Sequence, residues 1–298
     1  MVNKILIRVD MQRVVFLFAI ILVSITSCID DVDNLTLPAV EPKLVVQSFI
    51  SPTDSVKVNV WLSKPINYNL PINDVYYGDE VIVVSNANVL LTSQSGTEQM
   101  LVPFDSSLGL YALSPEEFSI QMGETYTLSV TSPDYGTVTA STTVPSYVPI
   151  VSNVELDTLN ANEWGDVRGI LTGYLTDEGS VENFYATHVF NYSEYAIGED
   201  TLTYISFSKR MLISDKGYDG EDIPFKVDFC LSVYGEHLVH LYALSVDEHY
   251  YHFHWSLDNI EDFEDNPFAE STHLYSNVEG GLGVFASYVS ANVVVISE

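Results

Sequence analysis

The sequence predicts a mostly β protein with one long helix, and three observations carry that prediction. Short runs rich in Val, Ile and Leu alternate with turn residues from Pro42 onward. Within these runs apolar side chains recur at every second position, as at Val56, Val58 and Val60 between Lys57, Asn59 and Trp61, the pattern of a half-buried strand. A single later segment keeps a helical period instead: Val246, Tyr250, Phe253, Leu257 and Ile260 follow at steps of four, three, four and three.

From the start of the first domain, strand-like runs fall at 43–50, 55–62, 80–84 and 89–92, with turns at 51–54 and 85–88. Tyr126, Leu128 and Val130 alternate after the turn at Gly123-Glu124, and Val138, Ala140 and Thr142 do so after Gly136. Seven or eight strands in roughly 100 residues, with closely spaced turns, point to an Ig-like β-sandwich over 42–145. Pro145 and Pro149 then deny backbone donors and stiffen the chain, which marks a boundary.

A second β-rich domain, sandwich or barrel, is expected over 150–298. Its strand-like runs are 169–175, 184–192, 201–207, 225–231, 238–244, 272–275, 283–289 and 293–296, heavy in Tyr and Phe. The helix falls near 246–261, with Ser245 and Glu248 at capping-box spacing. An acidic loop over 262–270 follows it. Gly280-Gly281-Leu282-Gly283 precedes a strand, not a helix, so it reads as a close-packed turn where side chains would collide.

Composition bounds the function. The chain has 298 residues, 47% hydrophobic and 17% charged, enough apolar side chain for a packed core over most of its length. With 11 Lys+Arg against 41 Asp+Glu the formal net charge is −30. Nucleic acid is excluded as a partner, because phosphate binding needs clustered cations. Two cysteines cannot build a disulfide framework.

The first thirty residues carry an address. Lys4, Arg8 and Arg13 precede an apolar stretch from Val14 to Val23, shorter than the roughly 20 residues a spanning helix needs. Residues 1–27 therefore read as a secretory signal. Asp10 is out of place in a basic region, and Met11 makes a tidier start. Ile25-Thr26-Ser27-Cys28 resembles the bacterial lipobox, which implies cleavage before Cys28, a diacylglycerol on its thiol and a further acyl chain such as palmitate on its amino group. More than one chain is what stable anchoring requires. Residues 28–41 form an acidic tether. Its Ile29-Asp30-Asp31-Val32-Asp33 resembles the surface-export signal of Bacteroidetes-type lipoproteins, with a plain solvated tether as the alternative.

Few residues point to chemistry. All seven histidines lie in the second half, and on the helix His249 and His252 stand at i and i+3 beside Glu248, a candidate metal pair. The alternative is that they face solvent or stack on aromatic rings. The acids of 215–222 with Gly217 and Gly220 partly match a calcium loop, but Lys226 stands where the bidentate Glu belongs, and a glycine-assisted hairpin turn is the simpler reading. Cys230, between Phe229 and Leu231, reads as a small buried hydrophobe. No nucleophile elbow, phosphate-cradling loop or dinucleotide fingerprint occurs, so neither catalysis nor a cofactor is expected. Tyr68, Tyr76 and Tyr77, in a long loop over 64–78 with Pro65 and Pro71, are the candidate ligand-binding residues; the alternative is that they cover the end of their own sandwich.

Several stretches carry a resemblance: Glu41-Pro42-Lys43-Leu44-Val45-Val46, Gly123-Glu124-Thr125-Tyr126-Thr127-Leu128, Ala140-Ser141-Thr142-Thr143-Val144-Pro145, Asp177-Glu178-Gly179, Asn183-Phe184-Tyr185, and above all Tyr275-Ser276-Asn277-Val278-Glu279-Gly280-Gly281-Leu282-Gly283-Val284-Phe285. In these the chain resembles the Bacteroidetes outer-membrane lipoproteins of unknown function (domain of unknown function 4249), whose genes commonly neighbour TonB-dependent receptors. The resemblance implies a two-part, mostly β architecture and no catalytic residues. It further implies a lipid-anchored, outer-membrane accessory protein with a TonB-dependent receptor as partner. A stand-alone surface adhesion or scaffold lipoprotein is the alternative, and a metal-dependent hydrolase centred on His249 and His252 a third.

Overall fold

A computed structural model describes residues 41–63, 82–159, 167–197, 200–231, 236–263 and 273–297. The secretory signal, the tether with Cys28, and Tyr68, Tyr76 and Tyr77 lie outside the described residues.

The first seven strands build a sandwich. β1 (Leu44–Ile50) and β2 (Val56–Leu62) pair antiparallel, and β2 passes the sheet on to β5 (Leu110–Leu113). Opposite them lie β3 (Asn88–Ser93), β6 (Thr125–Ser132) and β7 (Gly136–Thr143). β4 (Glu98–Asp105) serves both layers: its start pairs with β3 and its end with β5, with a register shift between Pro103 and Asp105. Leu44, Val46, Val58, Val60, Leu91 and Leu128 fill the space between the layers because each sits on the inward phase of a period-2 strand. The Ig-like sandwich read from the sequence is therefore present. β4 and β5 escaped that reading for a physical reason. β4 turns from one layer into the other, buries only Leu101 and leaves Met100, Val102 and Phe104 in water, so it has no steady alternation to detect, while β5 alternates over only four residues. Of the run expected at 80–84, the described part makes only an isolated bridge from Val83 to Trp61.

The second half forms two further layers. β8 (Ile150–Leu159), β9 (Val167–Thr176) and β13 (Asp222–Leu231) make a three-stranded antiparallel sheet. It packs on β10 (Phe184–Ile197) and β14 (Glu236–Val246), with Leu171, Leu175, Phe225 and Val227 meeting Tyr185, Val189, Val239 and Leu241. β11 (Asp200–Phe207) and β12 (Met211–Ser214) both pair with β10.

β15 (Leu282–Ser297) joins the halves. It runs antiparallel to β14 and parallel to β1, so one twelve-stranded sheet continues from β11 to β7 across both stretches of sequence. Phe285 and Val289 of this strand are buried in the core of the sandwich, and residues Glu41–Glu298 form a single compact unit. The runs expected at 283–289 and 293–296 are thus one strand; polar Ser290 and Asn292 interrupt the apolar pattern but keep their ladder partners Leu244 and Tyr242. No strand forms over 273–275. The parallel pairing explains the glycines. Gly283 sits at φ +111° opposite Val46, and a Cβ there would lie 1.9 Å from the Val46 carbonyl oxygen.

The helix, α1 (Glu248–Phe263), begins two residues later than expected. Its cap is Asp247, whose Oδ1 accepts the Tyr250 N–H at 2.9 Å, whereas Ser245 is wholly buried on β14. Tyr250 and Phe253 turn onto Phe49, Val284 and Ala286, on the sheet face opposite the three-stranded layer. Two smaller expectations change. Cys230 is exposed, because period 2 on β13 buries Phe229 and Leu231 through the backbone's own alternation only where they fall on the inward side, and Cys230 takes the outward one. The 215–222 turn joins β12 to β13, strands of different sheets, so it is not a hairpin. No helix among the described residues is long and apolar enough to cross a membrane.

Candidate functional site

The flank of α1 leaves part of the sheet face uncovered, and a cleft of about 530 Å³ opens there. Its floor is aromatic. His188 on β10 and Tyr242 on β14 are register partners, with rings stacked at 5.0 Å and 11°. One step outward along the same face Phe190 stands opposite His240, and Phe207 lies 5.2 Å from Phe190. Alternate positions on two adjacent strands thus lay a strip of rings leading out of the cleft.

Arg210, in the link between β11 and β12, forms one wall. Its Nη1 lies 2.7 Å from His254 Nδ1. A guanidinium only donates, so Nδ1 must accept, and His254 is neutral with its proton on Nε2. Burial pulls the His254 pKa down to about 3, with the Arg210 charge as second cause. His254 is 6% exposed and stacks on Phe49 at 5.2 Å. The guanidinium carbon sits 5.6 Å from the centroid of the Tyr250 ring, within cation–π range. The Arg210 Nε is buried without a hydrogen-bond partner, as is His188 Nδ1. The other described arginine, Arg168, pairs with Asp228 at 2.9 Å, but no described carboxylate forms an ion pair with Arg210. Across the cleft, Asp54 accepts the Tyr288 hydroxyl at 2.7 Å. Burial first, and then that hydrogen bond, push the Tyr288 pKa up. The cleft therefore offers a cation with no ion-pair partner among the described residues, aromatic rings and a carboxylate.

His249 and His252 meet around Tyr275. His249 Nδ1 is 2.7 Å from the Tyr275 hydroxyl, and the His252 ring lies 5.5 Å from the Tyr275 ring. Among the described residues no group of three or more His, Cys, Asp or Glu is placed to hold a metal. A smaller cleft of about 480 Å³ beside His249 contains Tyr147, Asn183, Phe184 and Asp247. Asp247 also accepts from Thr142 Oγ1 at 2.5 Å and the Ser287 N–H at 3.2 Å; burial still raises its pKa to about 6. The acids near 215–222 are turned to backbone donors. Asp215 Oδ2 accepts the Asn183 N–H at 2.8 Å, Asp219 Oδ1 the Ser180 N–H at 2.5 Å, and Asp177 Oδ2 the Gly220 N–H at 2.8 Å. These bonds pin two loops together, the work of a turn.

Sequence reasoning missed Arg210, Tyr242, Tyr250 and Tyr288 as site residues. The available signals were aromatic side chains at alternate positions, His188, Phe190 and Tyr192 in one run and His240 and Tyr242 in another, and a rare arginine in an acidic chain. A separate surface feature is the apolar row on β4: Met100 is 47%, Val102 58% and Phe104 72% exposed.

The family described as Domain of unknown function (DUF4249) matches residues 30–292. No curated protein matches the chain. Among solved structures, the chicken CNTN1 FN1–FN3 domains are 10% identical, with 85% of this chain and 69% of that one covered at a TM-score of 0.24. A carbohydrate-binding module of the β-sandwich superfamily is also 10% identical, covering 68% of this chain and 96% of its own at a TM-score of 0.21.

Proposed function

The chain belongs to the DUF4249 family, and from that premise we propose that it is a lipid-anchored accessory protein of a TonB-dependent outer-membrane transport system, binding a ligand or partner without chemistry. The observation that carries the binding role is the aromatic cleft with Arg210, whose charge no described carboxylate neutralises. Such convergence of rings and a few polar groups in one concavity is how small-molecule sites are built. The lipobox-like Ile25-Thr26-Ser27-Cys28 supports the anchor, and the resemblance to receptor-neighbouring lipoproteins supports the partner. The exposed Met100, Val102 and Phe104 supply an apolar surface suited to a protein contact.

The test is crosslinking in intact outer membranes followed by purification of the tagged protein. A TonB-dependent receptor is expected among the crosslinked species. Repeated recovery of the protein without one refutes the accessory role.

A further inference from the structure

Building on the binding role proposed above, we infer that the cleft selects small ring-bearing carboxylates, with the anion on Arg210 and the ring on the Tyr242–His188 floor. Four features of the site converge on this class.

Arg210 is the cation of the cleft, in a protein of net charge −30 where acids are plentiful. Yet the guanidinium rests on Tyr250 and on a neutral His254 and forms no ion pair with a described residue. Nη1 donates to His254, which fixes the guanidinium plane, and Nε is buried without a described partner, so a carboxylate in the cleft is met through the Nη groups. A fork held in this way is pre-organised for a carboxylate, whose two oxygens accept two parallel N–H bonds. Beside it stand the rings of Tyr242 and His188, stacked on each other with 11° between their planes, an aromatic wall against which a ring packs edge to face better than a branched chain does. Gln47, Ser290 and Asp54 also line the cleft, so a ring bearing hydroxyl groups finds acceptors there. The volume of about 530 Å³ suits one ring with its substituents. Sugar acids and aromatic acids share this chemistry.

Calorimetry on the full protein distinguishes them. Galacturonate and benzoate are titrated beside their neutral counterparts, galactose and benzyl alcohol. At least one acid is expected to bind tenfold or more tightly than its neutral counterpart; which one identifies the source of the ring. Arg210→Gln is expected to remove that preference, and Arg210→Lys, which keeps charge but not the fork, to lose most of it. If neither acid binds better than its neutral counterpart, that result overturns the inference on the unmodified protein, whatever the variants do to folding. So does an Arg210→Gln protein with unchanged preference. Either outcome leaves receptor crosslinking, and with it the accessory role, as it was found.

Discussion

Acidification from pH 7 to pH 5 should destabilise this protein by less than His254 alone dictates, because two buried groups of opposite sign partly offset each other. His254 is neutral in the folded state, accepting from Arg210 and enclosed by Phe49 and Tyr250, with a folded pKa of about 3 against 6.5 when free. Between those values the unfolded chain binds more protons, so stability falls as pH falls. From pH 7 to pH 5 the loss is about 2 kcal/mol. Asp247 has a folded pKa of about 6 against 3.8 when free, so over that range the folded chain binds more protons and stability rises as pH falls. Its contribution from pH 7 to pH 5 is a gain of about 1 kcal/mol. The two together leave a loss of about 1 kcal/mol or less. Single substitutions expose the parts. In His254→Gln the amide oxygen still accepts from Arg210 but does not titrate, so the variant should gain about 1 kcal/mol on acidification. In Asp247→Asn the helix cap persists and the His254 loss of about 2 kcal/mol appears alone. Urea unfolding of the three proteins at pH 7 and pH 5 measures all of this. If His254→Gln and the unmodified protein change in parallel, His254 is not the neutral acceptor described above and the reasoning fails.

Three further outcomes follow from the same geometry and sequence. Gly283→Ala forces a Cβ to 1.9 Å from the Val46 carbonyl at a positive φ, and should cost about 2–5 kcal/mol by combining left-handed strain with overpacking. Gly136→Ala, at φ +79° with nothing within 4 Å, should cost only about 1–2 kcal/mol, and equal losses by thermal unfolding would contradict the close β1–β15 approach. Cys28→Ala should abolish membrane retention, moving the protein to the soluble fraction of washed cells; unchanged retention in membranes would refute the lipid anchor.

Local chemistry made much of the fold legible. Period 2 in runs such as Val56, Val58 and Val60 marks strands wherever one face is buried, and the spacing of Val246, Tyr250 and Phe253 marks the helix. Family membership could be read from contiguous stretches of sequence as well. What remained hidden depends on partners distant in the chain. Nothing in the alternation of β15 says that it pairs in parallel with β1, some 240 residues earlier, because register is a relation between strands. Helix capping passed from Ser245 to Asp247 because Ser245 continues the β14 ladder to Val289. The cleft is the clearest case. Arg210, Tyr242, Tyr250 and Tyr288 come from a link, a strand, a helix and another strand, each unremarkable in its own neighbourhood. Sequence determines which side chains each element presents. Only packing α1 against part of one sheet face decides which of them are left to share a cavity.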